Sequence, residues 1–154
     1  MTVVVGIDGS AGSRAAIRLA AQEARYRTAP LMAVMAYSGE RTLGAPATRP
    51  LATLRTAEEE RVTTDATLRD IVRDALGGQA DDVEYRAVAG APGRALVGAA
   101  RAVRAQLIVL STRGEATMAR VLGAVSQHVL RHAPCPVLVV PDGSKSLSNA
   151  ETGA

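Results

Sequence analysis

A chain of 154 residues with 47% hydrophobic side chains fits one domain, and at this length folding buries ~70% of the surface an unfolded chain exposes. Aromatic content is only 2%, so the core must be built from Ala, Val and Leu, and modules that stack bases on aromatic platforms are disfavoured. The net charge of +3, from 18 Lys and Arg against 15 Asp and Glu, is too small and too interspersed to argue for nucleic acid by itself, and the single Cys135 excludes an internal disulfide or a thiolate metal site.

In chain order, residues 3–7 form an apolar run that suits a buried first strand. Asp8, Gly9 and Ser10 follow as a tight turn, and Ser10 or Ser13 is placed to cap a helix over 13–27 with Ile17, Ala20, Ala21 and Ala24 inward. Pro30 marks a turn before a second strand at 31–37. Residues 38–50 carry Gly and Pro marks and no period, so they read as an exposed loop and the best candidate for a lid. A charged helical pattern runs over 51–76 and ends at Gly77 and Gly78. The third strand covers 83–89, and Pro92 opens a helix over 94–105.

The stretch from Leu107 onward organises the rest. Residues 107–110 are apolar throughout, as expected of a strand buried on both faces of a parallel sheet. Met118, Val121, Leu122, Val125, Val129 and Leu130 recur three and four apart and give a fourth helix its inward face. Gly123 falls inside that pattern, where it costs roughly 1 kcal/mol relative to Ala, so it marks a break or a close approach. Pro134 and Pro136 stop the helix ahead of a fifth strand at 137–140, and Cys135 between them reads as a buried small hydrophobe. The domain therefore covers 1–141, and the polar residues 142–154 read as a disordered tail. Strict alternation of five strands and four helices gives an α/β doubly wound sandwich, a parallel sheet with helices on both faces.

No segment approaches the ~18 apolar residues of a membrane span, and the start of the chain lacks a basic signal region, so a soluble cytoplasmic protein is expected. Charge is unevenly spread. Residues 101–141 hold five arginines (101, 104, 113, 120 and 131) against Glu115 alone, whereas 57–84 carry most of the carboxylates. A polyanion would prefer the first region, although a solvated basic face explains it as cheaply.

If the strand order reverses beside the first strand, the loops at 8–13 and 111–117 face each other across a crevice. Asp8, Gly9 and Ser10 there meet polar ligand groups or simply cap a helix. Ser111, Thr112, Arg113 and Gly114 present hydroxyls, backbone N–H groups and charge to a phosphate. No P-loop pattern and no dinucleotide glycine fingerprint occurs. His128 and His132 lie four apart on one helix without the Glu of a zinc motif, and read as ordinary helix residues. No catalytic triad, carboxylate pair or metal site is legible.

The segments VVVGIDGSAGSRAAIRLA, VAGAPGRALVGAA and LIVLSTRG…VLGAVSQHVLRHAPCPVLVV together resemble the universal stress protein family over residues 3–141. The resemblance implies a sheet in order 3-2-1-4-5, a cytoplasmic homodimer paired through the edge strand Val137–Val140, and a branch that binds ATP without vigorous hydrolysis. It places the site on Asp8, Gly9, Ser10, Ala33, Ser111, Thr112, Arg113, Gly114, Gly123, Ala124 and Val125, with Mg accompanying ATP. The phosphate motif departs from the family's. Ser111 replaces its first glycine, eight residues rather than nine separate Gly114 from Gly123, and Ala124 replaces a hydroxyl residue, with Ser126 two positions further on. Gln106 stands where an aspartate commonly precedes the fourth strand. The expected function is a regulatory protein with a weakened ATP site. The alternatives are a dimeric scaffold that binds no ATP, a weak ATP hydrolase and, last, a basic-patch binder of nucleic acid.

Overall fold

The computed structural model describes residues 1–39, 56–112 and 122–141. Five strands, β1 (Val3–Gly6), β2 (Leu31–Tyr37), β3 (Val83–Ala89), β4 (Leu107–Ser111) and β5 (Val137–Val140), form one sheet in the order β3-β2-β1-β4-β5. All four pairings are parallel, so each of the first four strands is followed by a crossover helix. These are α1 (Ala11–Tyr26), α2 (Ala57–Leu76), α3 (Pro92–Ala102) and α4 (Ala124–His132). The expected fold class and strand order are both present.

Alternation along the strands divides the core in two. Val3 and Val5 of β1, Leu31 and Ala33 of β2, and Leu107 and Val109 of β4 face α1 and α2. Val4, Met32, Val34, Ile108 and Leu110 face α3 and α4. Since successive side chains point to opposite faces, a strand buried on both sides must be apolar at every position, as β1 and β4 are. With no bulky aromatics to fill the gap, α1 reaches the sheet through Ala16, Ala20 and Ala24, one above another at four-residue spacing and all buried.

All four helices differ in extent from the sequence reading: α1 spans Ala11–Tyr26 rather than 13–27, α3 spans Pro92–Ala102 rather than 94–105, and α2 and α4 start later than their patterns. The pattern over 51–76 puts the start of α2 at 51, but Thr56 fixes it at Ala57: its hydroxyl accepts from the Glu59 N–H at 3.2 Å, and the Glu59 carboxylate accepts from the Thr56 N–H at 3.1 Å. That reciprocal cap satisfies two otherwise orphaned donors, and three glutamates in the first turn suit the positive end of the helix dipole. Leu122 is not helical, and Gly123 is the N-cap of α4 in an extended conformation rather than an interior helical residue. Met118 and Val121 lie outside the described residues, as do 40–50 of the candidate lid and all of the tail at 142–154. Leu130, expected inward, is exposed, while Val129 is fully buried.

Below α2, Tyr85 of β3 donates its hydroxyl to the Ala80 carbonyl at 2.9 Å, and the Arg69 guanidinium lies 4.4 Å from its ring centre. Burial pushes the Tyr85 phenol up, with Arg69 opposing the shift. The helix is held to the sheet chiefly by Leu68 and Val72, its two buried side chains. Replacement Leu68→Ala should lower unfolding free energy by ~2–5 kcal/mol in a urea titration. A loss below ~1 kcal/mol would show that α2 is anchored elsewhere.

Candidate functional site

Where β1 ends, the chain must turn sharply into α1. Gly9 takes a left-handed φ of 82°, which a side chain disfavours, and Asp8 stabilises the turn from within. One Asp8 carboxylate oxygen accepts from the Ser10 N–H at 2.9 Å and from the Ser13 hydroxyl at 2.8 Å. Ser13 is fully buried, so this hydrogen bond ties the carboxylate to the first turn of α1. The expectation that Ser10 or Ser13 caps the helix through its side chain is not met. Ser10 occupies the N-cap position without a side-chain cap bond, and the Ser13 hydroxyl is committed to Asp8. The Ser10 Oγ is buried without a hydrogen-bond partner.

The loops after β1 and β4 come together as the sheet order requires. A Cβ on Gly12 would lie 3.2 Å from both the Cβ and the hydroxyl of Ser111. The Thr112 N–H is held by the Val140 carbonyl at 3.0 Å, which fixes the end of β4 against β5. Beside this junction a crevice opens between the strand ends and the starts of α3 and α4. Val34, Leu96 and Leu110 form an apolar wall, and Asp8, Ser111 and Ser126 are polar members of the lining. Gly6 makes the space possible from below: a Cβ there would fall 2.7 Å from a Leu96 methyl. Pro92 opens α3 in the lining, and Gly123 and Val125 bring the start of α4 there, so two helix N-termini with their positive dipole ends meet the crevice.

Of the residues singled out from sequence, Asp8, Ser111, Gly123 and Val125 line the crevice. Gly9, Ser10 and Thr112 shape its rim without lining it. The Ala33 side chain belongs to the core on the α1 side of the sheet, and its neighbours Val34 and Ala36 line the crevice instead. Ala124 is exposed, whereas Ser126, two residues on, is buried in the lining. Arg113 and Gly114 lie outside the described residues. Leu96, Leu110 and Pro92 were not singled out. Their signal was the strand-end and helix-start positions that any open parallel sheet turns toward its crevice.

The family model for the universal stress protein family matches residues 1–141. The chain belongs to this family. A universal stress protein of Mycobacterium tuberculosis H37Rv is 38% identical over 144 residues, covering 90% of this chain and 94% of that one. One from Thermus aquaticus is 35% identical over 143 residues, covering 90% and 97%. Another M. tuberculosis universal stress protein is 32% identical over 142 residues, and this chain spans only 47% of its length. Among solved structures, a universal stress protein in complex with cAMP superposes with a TM-score of 0.64 at 33% identity, covering 92% of this chain and 97% of that one. A universal stress protein from Lactobacillus plantarum gives 0.70 at 25% identity, covering 91% and 97%.

Two groups outside the crevice lining have defined chemistry. Burial holds the His128 imidazole below its usual value, helped by His132 and Arg94, so the ring favours its neutral form. Burial pushes the Cys135 thiol up, against a hydrogen bond with the Ile108 backbone, which suits an inert packed thiol. No group of three or more His, Cys, Asp or Glu able to hold a metal occurs among the described residues, and no helix there is long and apolar enough to cross a membrane. Replacement Ser13→Ala should cost ~1.5–3 kcal/mol in chemical denaturation, the usual contribution of a hydrogen bond to a carboxylate. Unchanged stability would mean that Asp8 is held by the Ser10 N–H alone.

Proposed function

We propose that this universal stress protein is a regulatory adenine-nucleotide binder, with ATP as the leading ligand, that acts through a homodimer. The observation that carries the reading is the crevice itself. It joins an apolar slot of Val34, Leu96 and Leu110, suited to a flat base, to Asp8, two serines and two helix N-termini, suited to ribose and phosphate. The cAMP complex of a 33% identical relative supports an adenine nucleotide as the ligand class. Asp8, Gly9 and Ser10 would bound the ribose side, and Ser111, Thr112, Arg113, Gly114, Gly123, Ala124 and Val125 the phosphate side, with the β2 backbone near Ala33 on the base. The described residues include no cluster that would hold Mg by itself, so the ion would arrive on the phosphates of the nucleotide.

Among the described residues no activated general base is apparent, and binding rather than turnover is the proposed activity. The homodimer would pair β5 with its copy. That strand is the sheet edge, and its four residues Val137–Val140 are only half-buried, which an unpaired edge strand in solution avoids. A dimeric scaffold without nucleotide is the second reading. It is favoured by the exposed Ala124, which offers phosphate no hydroxyl.

Calorimetry on refolded, nucleotide-free protein should give micromolar ATP binding, weakened ~10–100-fold in Ser126→Ala by loss of one hydrogen bond to charge. Absence of heat with ATP, AMP and cAMP at millimolar concentration would leave the scaffold reading. In sedimentation equilibrium the mass should be twice the 15.9 kDa of the chain, and a monomer would remove the β5 pairing.

A further inference from the structure

The two helical layers differ in charge balance: α1 and α2 mix six arginines with seven acids, whereas α3 and α4 carry arginines and no acid. The five ion pairs among the described residues involve Arg14, Arg27, Arg61, Arg69 and Arg86, all with acids of α1, α2 or β3. Beyond Glu84 the described residues contain no Asp or Glu at all, yet α3, α4 and their ends carry Arg94, Arg101, Arg104 and Arg131, all exposed. Among the described residues none of these four forms an ion pair.

These cations are organised along one seam. His128 and His132 stack with ring centres 4.3 Å apart, and the Arg101 guanidinium donates to the His132 carbonyl at 3.2 Å. His128 packs on Gly93 of α3, where a Cβ would sit 3.0 Å from its ring, and it feels the charge of neighbouring Arg94. Arg94 and Arg101 are two helical turns apart, about 10 Å, on one stripe of α3. The histidine pair has the spacing of a metal chelate, but guanidinium groups at both ends of the seam repel a cation and attract an anion.

Between the arginines on the same stripe lies Gly98. It is exposed in a helix interior, where glycine costs about 1 kcal/mol relative to alanine, and a Cβ there would meet nothing within 4 Å. The fold itself has no use for it. A flat spot in a helix serves the close approach of another backbone. Leu130 of α4 is 46% exposed, a single apolar contact on the same layer.

We propose that the α3–α4 seam is a docking surface for an acidic α-helical segment of a partner protein, with carboxylates two turns apart on Arg94 and Arg101 and a backbone seated over Gly98. The planar guanidinium group donates two parallel hydrogen bonds to a carboxylate, and the four Arg and Lys cations among the described residues of this layer are all arginine. Nucleic acid fits less well, because the layer has no Phe, Tyr or Trp for stacking. A membrane also fits less well, because Leu130 is the one large exposed apolar side chain the described part of this layer offers for insertion. The proposal is independent of the nucleotide reading and is tested without nucleotide.

The probe is a fluorescein-labelled helical peptide of roughly 18 residues with Glu pairs two turns apart and Ala and Leu between them. It is titrated by anisotropy at low and at physiological salt. Saturable binding that weakens at least ~10-fold in Arg94→Glu/Arg101→Glu, and not in Arg61→Ala/Arg69→Ala on the opposite layer, supports the proposal. Gly98→Gln separates docking from folding: it should raise Tm by ~2 °C through helix propensity while weakening peptide binding. Four outcomes overturn the proposal. They are no saturable binding, binding indifferent to Arg94 and Arg101, tighter binding to a single-stranded RNA of equal charge or to phosphatidylglycerol vesicles, and self-association beyond a dimer abolished by the same substitutions.

Discussion

Everything in this molecule follows from a parallel sheet that must be covered on both faces. Parallel strands require crossovers, and crossovers lay helices on each side, so β1 and β4 have no solvent-facing position on which to place a polar side chain. Polar chemistry is therefore expelled to the strand ends. Asp8 appears one residue beyond Ile7, and Ser111 is the last residue of β4, the first points at which the chain leaves the buried slab. The strand order reverses beside β1, so these two ends meet, and they meet closely because Gly12 has no Cβ to hold Ser111 away. The site is thus a consequence of topology before it is a consequence of any motif.

Small residues make that arrangement compact. A core almost without aromatics brings α1 down through alanines on one side, and Gly6 lets Leu96 of α3 close on β1 from the other. The same economy sets the crevice. Its wall is aliphatic, with Leu96 over Gly6, and its Asp8 carboxylate is held by the Ser10 N–H and by buried Ser13 rather than by long flexible side chains. Preorganised donors and acceptors of this kind bind at less entropic cost than groups that must first be ordered.

The sequence was most legible where one physical rule acts alone. Residues 31–37 and 83–89 were bounded as strands because Pro30 and Gly90 punctuate apolar runs of strand length, and β2 and β3 have those limits. The family resemblance supplied what periodicity does not, the order of the strands. Reading failed where two local interactions compete for one side chain. Ser13 looked like a cap because serine near a helix start usually is one, but the carboxylate of Asp8 outbids a backbone N–H for its hydroxyl. The apolar rhythm of 118, 121, 122 and 125 overran the start of α4, whereas Gly123, read as a break or a close approach, does mark the point where the extended backbone turns into the helix. Leu130 carried the right period for an inward face and lies outside, since periodicity states what a helix is able to bury and not what a neighbour covers.

Helical geometry also bears on the altered phosphate motif. Successive residues of an α-helix are rotated by about 100°, so positions two apart face nearly opposite ways. Ala124 and Ser126 stand in that relation at the start of α4: the first is exposed and the second is buried in the crevice lining. Relative to the family pattern, the connection between Gly114 and Gly123 is one residue short and the hydroxyl is two residues late. On the proposed reading the phosphate-side hydroxyl is therefore that of Ser126, supplied from the first turn of a helix whose N–H groups face the same anion. The exposed Ala124 is the residue that separates this reading from the scaffold one, since it offers phosphate no hydroxyl of its own.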